Sequence, residues 1–141
     1  VSNRSTDNVI VLGDFNNVGE QSSINPAISP FVDINNYDHA VHFKMMDLSI
    51  LTGSENQYSW QGWTSSYGPA HLDHIIITKP LFSFSDNSII GVINTPKETE
   101  LSSTNVSNTI SDHQPVFFSF NKLTSGGIPS CKLYSSFIKT L

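Results

Sequence analysis

The sequence predicts an α+β fold, a helix-flanked sandwich in preference to a regularly alternating βαβ chain. Three observations lead there. Short apolar runs rich in β-branched residues recur along the chain, Pro and Gly fall between them, and helix-compatible periodicity is confined to the first half. At 141 residues, 38% of them hydrophobic, the chain has room for one modest domain.

The elements follow in order. Residues 9–12 are four successive large apolar side chains, three of them β-branched, ended by Gly13-Asp14, and such continuous apolarity reads as a strand buried on both faces. Residues 16–36, with Pro26, Pro30 and many Asn and Ser, read as loop with at most one short helix. Between Tyr37 and Met46 the positions Ala40, Val41, Phe43, Met45 and Met46 fit one or two amphipathic helical turns, with Asn36 or Asp38 as cap. Tyr58-Ser59-Trp60 is a short β-prone run. Residues 72–78 form a strand stopped by Lys79-Pro80, and residues 89–93 form another. From Thr95 to Thr109 the composition is that of a loop. Residues 115–120 are the last strand, with proline at the first position, where a missing donor is tolerated. Gly126-Gly127 and Pro129 then mark residues 122–141 as linker or tail, leaving 1–121 as the domain.

Twelve acidic against seven basic residues leave a formal charge of −5, the wrong sign for holding nucleic acid on a broad basic surface. Phosphate chemistry is therefore expected to be local and metal-assisted. Ser, Thr and Asn supply 45 of the residues, so polarity comes mainly from hydroxyls and amides. One cysteine, Cys131, makes no internal disulfide and fits a reducing compartment better than secretion. No apolar run approaches the roughly 18 residues of a membrane span and no signal-peptide core is present, so an intracellular, soluble protein is expected, its compartment open.

Three strands deliver acids or imidazoles at their ends: Gly13-Asp14-Phe15-Asn16, His71-Leu72-Asp73-His74 and Ser111-Asp112-His113. If the ends converge, Asp14, Asn16, Asp73, Asp112 and His113 form an oxygen-rich cluster suited to Mg²⁺ or Mn²⁺. In phosphoester hydrolysis each type has a task. Asp112 holds the divalent ion, His113 donates a proton or hydrogen bond to the phosphoryl group, and Asp73 orients His113. Asp14 activates water, while Asn16 gives a phosphate oxygen a neutral donor. Asp73 is the least easily explained as mere structure, since an acid inside an apolar run is costly to bury unpaired.

Gly-Asp-Phe-Asn after an apolar strand, Leu72-Asp73-His74-Ile75, and Ser111-Asp112-His113 with Pro115-Val116 resemble, in that order, the three late motifs of the endonuclease/exonuclease/phosphatase (DNase I-like) family. The resemblance covers about residues 8–121 and implies a two-sheet sandwich with outer helices, present here as the C-terminal half, and a Mg²⁺-dependent phosphodiesterase or phosphatase activity with the roles given above. Met46-Asp47-Leu48, Tyr58-Ser59-Trp60 and Leu72-Asp73 further resemble the endonuclease domain of non-LTR retrotransposons. That implies DNA as partner, a downstream reverse transcriptase in the same polypeptide, and a nuclear protein. The family's early metal-binding Glu has no positional equivalent, so the N-terminal half of the domain is an expected missing partner. His71 stands where many relatives have Arg, and with Ser59 and Trp60 it is a candidate substrate contact.

Two rival readings remain at this stage: a phosphatase of the same family acting on inositol lipid, sphingolipid or nucleotide substrates, and a non-catalytic remnant of the fold. Among lesser features, Asp38, His39 and His42 read as a solvated helix face before a metal face. Trp60 reads as core and Trp63 as loop cover before either is a base-stacking platform.

Overall fold

The computed structural model describes residues 8–17, 28–32, 42–62, 68–120 and 131–135. Within them are two antiparallel three-stranded sheets. The first has β1 (Ile10–Asp14), β2 (Phe43–Met45) and β3 (Asp73–Thr78) in the order β1-β3-β2; the second has β4 (Ile89–Val92), β5 (Val116–Phe120) and β6 (Cys131–Ser135) in the order β4-β5-β6. Four short α-helices accompany them, α1 (Ser29–Val32), α2 (Leu48–Leu51), α3 (Thr95–Thr99) and α4 (Ser103–Thr109), with 3-10 turns at Glu55–Gln57 and Lys79–Phe84. The chain is thus mixed α and β, with small antiparallel sheets and few helices. No helix among the described residues is long and apolar enough to cross a membrane.

Strand β3 organises the rest because every one of its six residues is buried. Successive side chains point to opposite faces. Ile75 and Ile77 meet Val116 and Phe118 of β5, joining the two sheets through a common core. Ile76 faces the other way, toward Ile28, Met45 and Leu51. Burying one such isoleucine contributes roughly 1.5–3 kcal/mol, so this strand anchors whatever its first residue, Asp73, carries. A third cluster, Trp60, Ala70 and Leu72, packs just ahead of it.

Burial on both faces was expected of residues 9–12 and belongs instead to β3. Strand β1 lies at the sheet edge, and Val11 and Leu12 are 41% and 43% exposed. The helical turns expected up to Met46 are corrected over Phe43–Met45, which pair with β3 at Phe43↔Thr78, Lys44↔Ile77 and Met45↔Ile76. Phe43 is half-buried, Lys44 exposed and Met45 buried, an alternation of period two. Residues 36–41, with the expected caps, lie outside the described residues, as do Asp38, His39 and Trp63. His42 is exposed.

The loop expected from Thr95 to Thr109 holds α3 and α4. Caps explain both: the Asn94 side chain accepts from the Lys97 amide at 3.1 Å, and the Ser102 hydroxyl accepts from the Asn105 amide at 3.2 Å. Val106 is the one buried residue of α4. Within the expected tail, residues Cys131–Ser135 form β6 and pair with β5 from Val116↔Ser135 to Phe120↔Cys131. Across the other edge of β5, Phe117 lies over Gly91, where a Cβ would come within 2.8 Å of its ring.

Candidate functional site

The antiparallel register of β1 on β3 sets Asp14 directly opposite Asp73. The turn that follows depends on two backbone choices. Gly13 takes φ 151°, which side-chain-bearing residues rarely adopt, and Asn16 takes φ 51°, tolerated best by Gly, Asn and Asp. Asn16 donates its amide to Asp14 Oδ1 at 2.7 Å, and both side chains are exposed.

Segment 111–113 reaches the same place from the second sheet. His113 donates its backbone amide to Ser111 Oγ at 3.0 Å, pairs with Trp60 in a single β-bridge, and is followed by a Gln114 amide donating to the Ser59 carbonyl at 2.6 Å. This lays the His113 ring against Asp73, with Nδ1 to Oδ2 at 2.7 Å, the carboxylate fully buried and the imidazole 14% exposed. Burial alone would push the His113 ring below its ordinary value. The hydrogen bond and charge of Asp73, joined by the charges of Asp14 and Asp112, outweigh it and hold the ring above. Asp14, Asp73, Asp112 and His113 therefore do converge, with Asn16 beside them on the turn.

Asp73 Oδ1 is buried with no hydrogen-bond partner. Three acidic side chains around one imidazole also concentrate negative charge. Both conditions draw a hard divalent cation, and Mg²⁺ is commonly held by only one or two carboxylates with water and substrate phosphate completing its shell. The acids here fit such an ion in donor type. They do not bring three ligand atoms together on their own, because among the described residues the one group of three His, Cys, Asp or Glu ligands within 4.8 Å lies elsewhere.

That other group is Asp47, His71 and His74, all fully buried. Asp directly before the apolar turn α2 reads as an N-cap, yet Asp47 makes no side-chain cap. Its Oδ2 meets His71 Nε2 at 3.0 Å and His74 Nδ1 at 2.5 Å, and its Oδ1 accepts the Ile75 amide at 2.8 Å. Burial would raise this carboxyl, but the hydrogen bonds and charges of the two imidazoles outweigh it and hold it at about 2. The spacing could hold a metal ion, and nothing in it selects which. As hydrogen-bonded, the group carries protons in the place of a metal. The Ser59 amide donates to His71 Nδ1 at 3.2 Å, so the proton of that ring sits on Nε2, aimed at Asp47. A metal on Nε2 would leave a proton on Nδ1 opposing the Ser59 amide. His74 Nε2 faces Asn17 Oδ1 at 3.2 Å, tying the group to the turn that bears Asp14.

The candidate substrate contacts Ser59, Trp60 and His71 are corrected by this arrangement, since all three are buried. Ser59 Oγ accepts the amides of Leu72 and Asp73 at 3.0 and 3.2 Å, clamping the entry to β3. Trp60 is core, and His71 belongs to the Asp47 group. They position the site and do not touch its solvent side. Asp47 and Asn17 were not singled out as site residues because sequence spacing links neither to Asp73; Asp47 is 24 and 27 positions from its two imidazoles.

No protein-family model, curated protein or solved structure matches the chain.

Proposed function

We propose that the chain carries the site of a metal-dependent phosphodiester hydrolase of the endonuclease/exonuclease/phosphatase type, acting on DNA, with the two sheets as the C-terminal part of that family's sandwich. The observation that supports this most is the buried Asp73 carboxylate 2.7 Å from His113, with Asp14 and Asp112 close enough for their charges to act on the same ring. Asp73 holds His113 by Nδ1, leaving Nε2 to donate to a phosphoryl oxygen. Asp14 spends one oxygen on the Asn16 amide and keeps the other for the attacking water. Asn16 offers a neutral side-chain donor without adding charge. Asp112 would hold Mg²⁺ or Mn²⁺, which when bound neutralises charge developing on the phosphate.

Supercoiled plasmid with Mg²⁺ tests the reading. Nicking is expected, chelation should abolish it, and Asp14→Ala or Asp112→Ala should slow it by about 10²–10⁴-fold. Nicking that survives chelation, or Ala variants as fast as the parent chain, would overturn the assignment.

A further inference from the structure

Beside Asp112 the surface opens into a cavity of about 520 Å³, within the size range of small-ligand sites. Its chemistry is unusual for a place next to a phosphate. Among the described lining residues Asp112 is the one charged side chain; the rest of the polar lining is hydroxyls and carboxamides, with no Lys, Arg or His. A polyanion is held by cations, so these walls do not suit a run of phosphates. They suit an uncharged group with both donors and acceptors on its edge.

Two carboxamides show which ends remain available. Asn94 uses its Oδ1 to accept the Lys97 amide, leaving the side-chain NH₂ as donor. Gln61 uses its Nε2 on the carbonyls of Tyr58 and Glu55, at 2.9 and 3.3 Å, leaving Oε1 as acceptor. A free donor and a free acceptor among the lining side chains are the two kinds of group that a heterocycle edge can pair with.

We propose that this cavity is a nucleobase subsite, holding the base adjacent to the phosphodiester cleaved at Asp14 and His113. The substrate is then a nucleobase-bearing phosphoester, and an inositol or other polyol headgroup is excluded. This rests on the hydrolase reading, but binding can be tested without it.

The full chain, labelled with ¹⁵N, is titrated with adenosine and thymidine, which carry no phosphate, and with myo-inositol. A nucleoside should shift the side-chain amide signals of Asn94 and Gln61 saturably, and inositol should not. Asn94→Ser keeps a capping oxygen for α3 but removes the donor, and should weaken nucleoside binding about tenfold. Asn108→Ala, on the α4 wall of the cavity, should weaken it without touching a cap. Hydrolysis is scored separately, with Mg²⁺, on a dinucleoside phosphodiester and on bis(4-nitrophenyl) phosphate. Nucleoside binding with neither diester cleaved would uphold the subsite while the hydrolase reading fails. Cleavage of both diesters with no nucleoside-induced shift, or shifts by inositol equal to those by nucleosides, would overturn the subsite and leave the hydrolase reading intact.

Discussion

Among the described residues two groups bring imidazole against carboxylate, and they differ in what surrounds them. Asp73 and His113 pair at a junction between the sheets, the ring partly in contact with solvent and flanked by the Asp14 and Asp112 charges. Asp47, His71 and His74 are sealed, and every Asp47 oxygen is used within the protein. The same pair of side-chain types thus yields an open group with capacity left for a ligand and a closed one whose capacity is spent on itself. Ser59 links the two, since its amide reaches His71 and its hydroxyl takes the amides of Leu72 and Asp73. The share of molecules folded so as to present the open group is therefore expected to depend on the closed one.

The largest way to break this contrast is Asp47→Ala. It strands two buried imidazoles and the Ile75 amide, and should cost about 3–5 kcal/mol of stability, read as a lower midpoint in urea unfolding. Ser59→Ala comes next. It leaves two buried amides without their acceptor and should cost about 2–4 kcal/mol, with hydrolysis falling as well because the entry to β3 loosens. An unchanged midpoint in either variant would mean the closed group does not carry the fold.

Acid and alkali should separate the two groups. The Asp47 carboxyl is held at about 2 against an ordinary 3.8, so the protein gains stability from it above the higher value and loses that gain as pH falls toward 2. The amount is on the order of 2 kcal/mol. His113 behaves in the opposite sense. Its value is raised, so in the metal-free protein its stabilisation is complete below the ordinary imidazole value and is lost as pH rises through the raised one. Unfolding midpoints across pH 2–9 should therefore weaken in Asp47→Asn chiefly on the loss of the acid-sensitive part, and in His113→Gln chiefly below neutrality. The smallest effect is that of His113→Gln at neutral pH, because the Gln amide can still donate to the buried Asp73 carboxylate.

Strands β1, β3 and β5 were legible from sequence because each couples a run of large apolar residues to an acid or imidazole at its end. Convergence of their ends enters the sequence reading only as a condition; Asp73, costly to bury unpaired, calls for a partner without saying where it lies. Other elements escaped for physical reasons. Three residues of β2 are too few to separate period two from period 3.6. Helix α4 is built almost wholly from Ser, Thr and Asn, weak helix formers, and α3 is five residues opening on Thr-Pro; both depend on their caps, with Val106 the only apolar residue buried in either. Exposure of Val11 and Leu12 reflects the edge position of β1, and strand order is not written in a local run. The closed group needed contacts across 24 and 27 residues, and its Asp carried the local signature of a helix cap.

One assay tests the division of labour most directly: Mg²⁺-dependent plasmid nicking by the parent chain, His113→Gln and His74→Gln, each normalised to folded protein from its own unfolding curve. His113→Gln should keep its midpoint and lose at least about 10²-fold in rate, whereas His74→Gln should lose stability and keep its rate per folded molecule. Nicking by His113→Gln at the parent rate, or equal loss of rate in both variants, would contradict the account.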